Sequence, residues 1–159
     1  MEIERKFLVK GEFRHLAYNR THIEQGYIAY GNGRTVRVRI RDDRGYLTIK
    51  GPADVGGLSR YEFEKEIDLN DARDLMKICL PGVVVKDRWL VRNGKHTIEV
   101  DEFFGANEGL VMAEIELNYE DEDYIRPDFL GREVTGIKRY YNAHMINYPY
   151  CLWTEDEKR

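Results

Sequence analysis

The chain has 159 residues, the length of about one ordinary domain, and it can bury a core without disulfide or metal staples. Its 25 Lys and Arg stand against 29 Asp and Glu, for a net charge of -4 and a pI near 5.6. Charge this plentiful and this balanced excludes a polybasic nucleic-acid coat and an acidic tail, and the question becomes where the charge sits.

The dominant pattern is period two, the signature of half-buried strands. It predicts a first strand over Glu2 to Val9 and a second over roughly Ile23 to Tyr30. Asn32-Gly33 then makes a tight hairpin turn. The third strand is Thr35 to Arg41, the turn is Asp42-Asp43-Arg44-Gly45, and the fourth is Tyr46 to Lys50. A Gly/Pro-rich connection from Gly51 to Ser59 leads to a fifth strand, Arg60 to Asp68. Asn70 or Asp71 is expected to cap a short helix to about Ile78, ended by Pro81-Gly82. The sixth strand is Val83 to Val91, with a turn at Asn93-Gly94. His96 to Phe103 and Leu110 to Asn118 are the seventh and eighth. An acidic helical turn is expected at Glu120 to Tyr124. Thr135 reads as the N-cap of a C-terminal helix from about Gly136 to Ile146. The expected organisation is one domain over 1–150, with a frayed tail over 151–159. Hairpin-linked strands of this number suggest a barrel or a sandwich, mainly β with a few flanking helices.

Other classes fall away on the same pass. No apolar run approaches the roughly 20 residues of a membrane helix. The opening MEIERK has no apolar stretch of the kind a signal peptide needs. Cys79 and Cys151 form no CxxC, and His15, His22, His96 and His144 are scattered. A zinc site and a disulfide framework are therefore not expected, and a reducing cytoplasm is. The pI and the lack of a one-sign basic stripe disfavour nucleic acid. Trp153 and Tyr150 are the aromatic residues on which a homodimer surface is expected.

Side chains of equal parity share one face of a strand. Glu2, Glu4 and Lys6 lie opposite Ile3 and Phe7. Arg37, Arg39 and Arg41 lie opposite Val36, Val38 and Ile40, and Thr48 and Lys50 opposite Leu47 and Ile49. Arg60, Glu62, Glu64 and Glu66 lie opposite Tyr61, Phe63 and Ile67. Lys86 and Arg88, then Glu99 and Asp101, then Glu114 and Glu116 repeat the pattern. A sheet with one wet face shows such alternation routinely. A wet face, however, usually mixes Thr, Ser, Gln and Lys, whereas here carboxylates come as pairs on four strands and cations as pairs on two more. If the sheet closes with this face inward, it makes a polar tunnel, which is costly unless its charges are paired or share a ligand. Arg and Lys recognise phosphate oxygens, and clustered carboxylates bind Mg²⁺ or Mn²⁺. A polyphosphate chelated by a divalent metal asks for both sets together.

The motifs in chain order resemble one family, the CYTH superfamily of triphosphate tunnel metalloenzymes. EIERKF carries the ExExK of Glu2, Glu4 and Lys6. R-x-R follows at Arg37 and Arg39, T-I-K at Lys50, and S-R-x-E-x-E at Glu62 and Glu64. K-x-R at Lys86 and Arg88, E-x-D at Glu99 and Asp101, E-x-E at Glu114 and Glu116, and an EVT…KRYYN segment from Glu133 to Asn142 complete it. The resemblance implies an eight-stranded antiparallel β-barrel enclosing a tunnel. It implies Glu2, Glu4, Glu114 and Glu116 as the main ligands of Mg²⁺ or Mn²⁺, with Glu62, Glu64, Glu99 and Asp101 supporting a second metal or positioning water. Lys6, Arg37, Arg39, Lys50, Lys86 and Arg88 then hold phosphate oxygens, with Arg60 on the same charged face and Arg139 reaching the tunnel mouth.

The function expected is a triphosphatase that cleaves inorganic tripolyphosphate to pyrophosphate and phosphate, by positioning and charge neutralisation. No P-loop and no Ser/His/Asp arrangement is present. Tyr27 in QGYIAY is expected beside Lys6, and a lowered Lys6 pKa makes that lysine a candidate base. Class IV adenylate cyclases and thiamine triphosphatases share the tunnel. A base-stacking pocket would draw on Tyr18, Tyr140, Tyr141 or Trp153. No HF-type extension of the kind cyclases show precedes the motif, which favours the simple phosphatase. A non-catalytic polyphosphate- or nucleotide-binding module is the alternative from another class, and it gains nothing from eight carboxylates.

Overall fold

The computed structural model describes all 159 residues. Nine strands build one sheet: β1 (Glu2–Val9), β2 (Ala17–Gly31), β3 (Arg34–Arg41), β4 (Arg44–Ala53), β5 (Ser59–Ile67), β6 (Val84–Asn93), β7 (His96–Phe103), β8 (Val111–Glu116) and β9 (Leu130–Glu133). Their order is β5-β4-β3-β2-β6-β7-β8-β1-β9, and an additional β5–β1 pairing closes the first eight into an antiparallel barrel. The sandwich alternative is thereby excluded.

β1 holds the barrel together through both of its edges. One edge pairs with β8 from Glu4 to Leu8. The other pairs with β5 only at Glu2 and Ile3, and with β9 at Phe7 and Val9. Between those two stretches the seam is completed by single bonds. The Glu4 N–H donates to the Leu58 carbonyl (3.1 Å), the Val134 N–H to the Lys6 carbonyl (2.8 Å), and the Lys6 N–H to Thr135 Oγ1 (2.9 Å). β9 lies on that seam. Its four residues, LGRE, are too few to show an alternation.

The turns follow local chemistry. Asn32 and Gly33 both take positive φ (53° and 79°), the combination a tight hairpin requires. Helix α1 (Leu69–Lys77) is capped by Asp68 and not by the expected Asn70 or Asp71. The Asp68 carboxylate accepts from the Asn70 and Asp71 N–H groups (2.8 and 3.4 Å), which leaves Asn70 inside the first turn. α1 sits close on the barrel because residue 45 is Gly. A Cβ there would stand 2.5 Å from that of Ala72.

The C-terminal region departs from the expected helix. A single 3-10 turn at Lys138–Tyr140 and the short α2 (Asn142–Met145) replace it. Thr135 does not cap a helix, because its hydroxyl is engaged with Lys6 N–H and donates to Glu133 (2.7 Å). Gly136, at φ +79°, is pressed onto the Gly56 carbonyl, so the chain is pinned to the seam before a helix can start. The segment Glu120 to Tyr124 is a turn and then irregular chain, not a helix. The tail is not frayed. The Tyr140 hydroxyl donates to the Glu157 carbonyl (3.2 Å), and Tyr148 to the Glu157 carboxylate. Trp153 is buried among Tyr140, Tyr148 and Tyr150, so its side chain presents no outer aromatic surface.

The apolar cores lie outside the barrel. One packs Phe7, Ile98, Val100 and Ile115 under Phe13, Phe129 and Leu130. The other joins Val84, Phe103 and Met112 to Val134, Tyr140 and Met145. Full burial of each large apolar side chain stabilises by about 1.5–3 kcal/mol. The outward-facing parity of the strands is thus the stabilising one, and the charged parity is left inside.

Candidate active site

The barrel interior is a cavity of about 980 Å³. The charged residues of the strand motifs line it, with one exception. Strand order sorts them by sign. Going round from β5 through β1 and β8 to β7 gives an acidic arc: Glu62 and Glu64, Glu2 and Glu4, Glu114 and Glu116, then Glu99. From β6 through β2 and β3 to β4 the arc is basic: Lys86 and Arg88, then Arg37, Arg39 and Arg41, then Lys50. Lys6 and Arg60 are the cations set within the acidic arc.

Part of this charge is paired inside the cavity. Lys50 donates to Glu2 (2.8 Å). Arg37 donates to Thr48 Oγ1 (3.0 Å) and lies 3.5 Å from Glu64, while Thr48 donates to Glu64 (2.9 Å). Lys6 stands between Glu4 (3.6 Å) and Glu114 (3.4 Å). Burial opposes its charge, but those two carboxylates raise the Lys6 pKa above the ordinary lysine value. Lys6 is therefore held protonated, contrary to its expected role as a base. The aromatic ring on it is Tyr141, 4.8 Å from the ammonium. Tyr27 also lines the cavity, and its hydroxyl accepts from Gln25 Nε2 (3.2 Å).

Asp101 is the exception. It is 2% exposed and lies behind the cations. One oxygen accepts from Arg88 Nε (2.8 Å), and the other from Arg88 Nη2 (2.9 Å) and Lys86 Nζ (2.7 Å). Burial works against its charge, yet Arg88 and Lys86 hold it down at about 2. Both of its oxygens are committed to cations. Arg139 is also absent from the cavity wall. Its guanidinium packs over Tyr140 and Trp153 and donates to the Glu157 carbonyl (3.2 Å).

The basic arc is short of anions. Arg39 has no carboxylate partner and gives both Nε and Nη2 to Gln25 Oε1 (2.9 and 2.7 Å). Burial, then Arg37 and Arg88, bring its pKa down to about 9. Arg37 Nε is buried without any partner. Burial, reinforced by Arg88 and Arg39 against the pull of Asp101, lowers Lys86 to about 7.

The acidic arc is short of cations. Burial, then the neighbouring Glu114, push Glu4 up to about 8. Burial and Glu62 raise Glu2, and burial, Glu2 and Glu99 raise Glu116. Glu114 goes the other way. Lys6 and Arg88 overcome its burial and hold it well below the ordinary carboxylate range. As the side chains stand, no three of these groups converge on one point. Glu4 instead faces Glu116 across the β1–β8 ladder, with Lys6 facing Glu114. An all-carboxylate donor set with surplus negative charge fits a hard divalent cation.

Sequence reasoning assigned no role to Gln25 or Asn142, and it raised Tyr141 only for base stacking. Gln25 shares parity with Tyr27, and carrying the face assignment through β2 would have found it. Tyr141 and Asn142 come from outside the barrel and have no periodic signal. Of the aromatic residues considered for a base-stacking pocket, Tyr141 alone lines the cavity; Tyr140 and Trp153 are core, and Tyr18 stacks under Arg92 on the exterior.

The CYTH domain family matches residues 1–143. This chain belongs to the CYTH family. An inorganic triphosphatase of Acetivibrio thermocellus is 44% identical over 156 residues, covering 97% of this chain and 98% of that protein. One from Nitrosomonas europaea is 34% identical over 148 residues, covering 89% and 93%. Among solved structures, an inorganic triphosphatase superposes with a TM-score of 0.63 at 28% identity, covering 97% of this chain and 96% of that one. The CYTH motifs and the CYTH barrel thus coincide over nearly the whole chain.

Proposed function

We propose that this CYTH protein is a divalent-metal-dependent triphosphatase that hydrolyses inorganic tripolyphosphate to pyrophosphate and phosphate. The carrying observation is the separation of charge across one cavity, with a basic arc short of anions facing an acidic arc short of cations. A triphosphate chain with its metal completes both. The relatives named inorganic triphosphatase support the same reading.

Arg37, Arg39, Lys86 and Arg88 bind the phosphate oxygens, with Lys50 and Arg60 holding the chain toward the mouth. Asp101 orients Lys86 and Arg88 from behind. Glu2, Glu4, Glu114 and Glu116 would hold Mg²⁺ or Mn²⁺, with Glu62 and Glu99 nearby; the metal supplies Lewis-acid charge neutralisation when bound. Lys6, fixed as an ammonium, donates to the phosphate chain and supports the leaving pyrophosphate. Water attacks the terminal phosphorus in line, and the anhydride P–O bond breaks towards the pyrophosphate oxygen. Glu64, held by Thr48 and Arg37 at the more open side of the cavity, is the acceptor assigned to the proton released by that water. The free thiols Cys79 and Cys151 accord with a reducing cytoplasm, and no helix is long and apolar enough to cross a membrane.

The test is phosphate release from tripolyphosphate and from ATP, with Mg²⁺, with Mn²⁺ and with chelator. Metal-dependent release that strongly prefers tripolyphosphate is the expected result. Cyclic AMP from ATP, or release from organic triphosphates alone, would keep the tunnel and overturn the substrate.

A further inference from the structure

Asn142 enters the tunnel from outside the barrel, on the segment that follows the 3-10 turn, and its amide has a forced orientation. The argument starts at Arg39, which can only donate. Both of its hydrogen bonds go to one Gln25 atom, which must therefore be the oxygen (2.9 and 2.7 Å). Gln25 Nε2 then faces the other way, towards Tyr27 and Asn142 (3.2 and 3.0 Å). The Asn142 atom it meets must accept, so it is Oδ1. Lys86 gives Nζ to that same oxygen (2.8 Å). Arg39, which can only donate, thus fixes both amides through Gln25 without appeal to hydrogen positions, and the Lys86 contact agrees with the same orientation.

The consequence is at Asn142 Nδ2. The oxygen is fully used, so the NH₂ group is turned from Lys86 and Gln25. It makes no hydrogen bond within the protein, while the Asn142 side chain lines the cavity. Its neighbours are the neutral Gln25 and the ammonium of Lys86, which Asp101 already holds, with Arg39 beyond Gln25. A neutral donor there adds direction without adding repulsion among Arg39, Lys86 and Arg88.

We propose that Asn142 is a substrate-binding residue whose Nδ2 donates to a phosphate oxygen at the Lys86–Arg39 end of the tunnel. This rests on the triphosphate reading of the cavity and deepens it. Asn142 would select for a phosphoryl group there with an unprotonated, accepting oxygen, and Gln25 is the positioning residue that keeps the donor pointed inward.

The test is tripolyphosphate binding by titration calorimetry in the presence of chelator, so that neither metal nor turnover contributes. Asn142→Asp keeps an acceptor for Lys86 and Gln25 but replaces the inward donor by an oxygen. Asn142→Leu removes the amide at similar size. Each should bind about 10- to 100-fold more weakly than the wild type, the range for a hydrogen bond to a charged partner, with the loss from Asn142→Asp at least as large. Unliganded melting temperature, read on both variants, separates this from unfolding. If either variant, folded, binds tripolyphosphate as tightly as the wild type, the assignment to Asn142 is wrong and the triphosphate reading stands. If the wild type binds no tripolyphosphate either with chelator or with Mg²⁺, both are overturned.

Discussion

Asp101 offers the sharpest test of how the charged interior is held. Replacing it with Asn leaves shape and volume nearly unchanged and removes one negative charge from a site that is 2% exposed. Three charge-assisted hydrogen bonds at 2.7, 2.8 and 2.9 Å are then broken or weakened. The amide NH₂ must also face at least one donor-only cation. Removing one partner of a buried ion pair typically costs about 3–5 kcal/mol, because the other charge stays buried and unpaired. For a chain of this length each kcal/mol shifts the melting temperature by about 2–4 °C, so a fall of about 6–20 °C is expected. Thermal unfolding by circular dichroism at pH 7 measures it. Tripolyphosphate should restore more stability to Asp101→Asn than to the wild type, since it returns the missing anion to Lys86 and Arg88. A variant that melts within about 2 °C of the wild type yet has lost turnover would refute the counter-ion role and return Asp101 to the chemistry as a ligand or water-positioning group.

Three further outcomes follow from the same geometry. Glu4 sits at about 8 in the folded chain against an ordinary 4.5, so its contribution to stability is complete below about pH 4.5 and is lost as pH rises through about 8. Mg²⁺ should therefore raise the melting temperature more at pH 8.5 than at pH 6, and an equal rise at both would count against Glu4 as a ligand. Lys86, lowered to about 7 by burial and its cationic neighbours, should recover its proton when phosphate arrives. Tripolyphosphate binding near pH 7.5 is then accompanied by proton uptake, read from the dependence of binding enthalpy on buffer ionisation, and no such dependence would contradict this. Gly57→Ala places a Cβ 2.5 Å from Gly136 Cα at a φ of +71°. It should cost more than about 1 kcal/mol and loosen the β1–β5 seam, seen as faster amide exchange at Glu4 and Lys6.

Much of the barrel was legible because its alternation is nearly unbroken. β1 and β7 begin and end where the pattern does. The parity that joined Glu2, Glu4 and Lys6 is the parity that faces the cavity. β2 was read short because Tyr18-Asn19-Arg20-Thr21 offers no apolar alternation, and its pairing there is supplied by β6. What the sequence could not show is which strands are neighbours. The split into acidic and basic arcs depends on β6 lying beside β2, a pairing between strands far apart in the chain. Asp101 illustrates the limit within one motif. Its parity with Glu99 is right, yet Arg88 reaches it first and draws it out of the cavity wall. The C-terminal segment was unreadable for a different reason. Tyr141 and Asn142 owe their places to Gly136 and Thr135 binding the seam, contacts with no local pattern.

A barrel with its hydrocarbon outside and its charge within has an unusual thermal consequence for ligand capture. Filling it dehydrates mainly carboxylates, guanidinium groups, ammonium groups and phosphate, with less hydrocarbon than polar surface. Removing polar groups from water changes heat capacity in the opposite direction to removing apolar ones. Association should accordingly show a heat-capacity change near zero or positive, where an apolar pocket gives a negative one. Because the hydration of ions weakens on heating, the grip on a phosphate chain should hold or tighten as temperature rises.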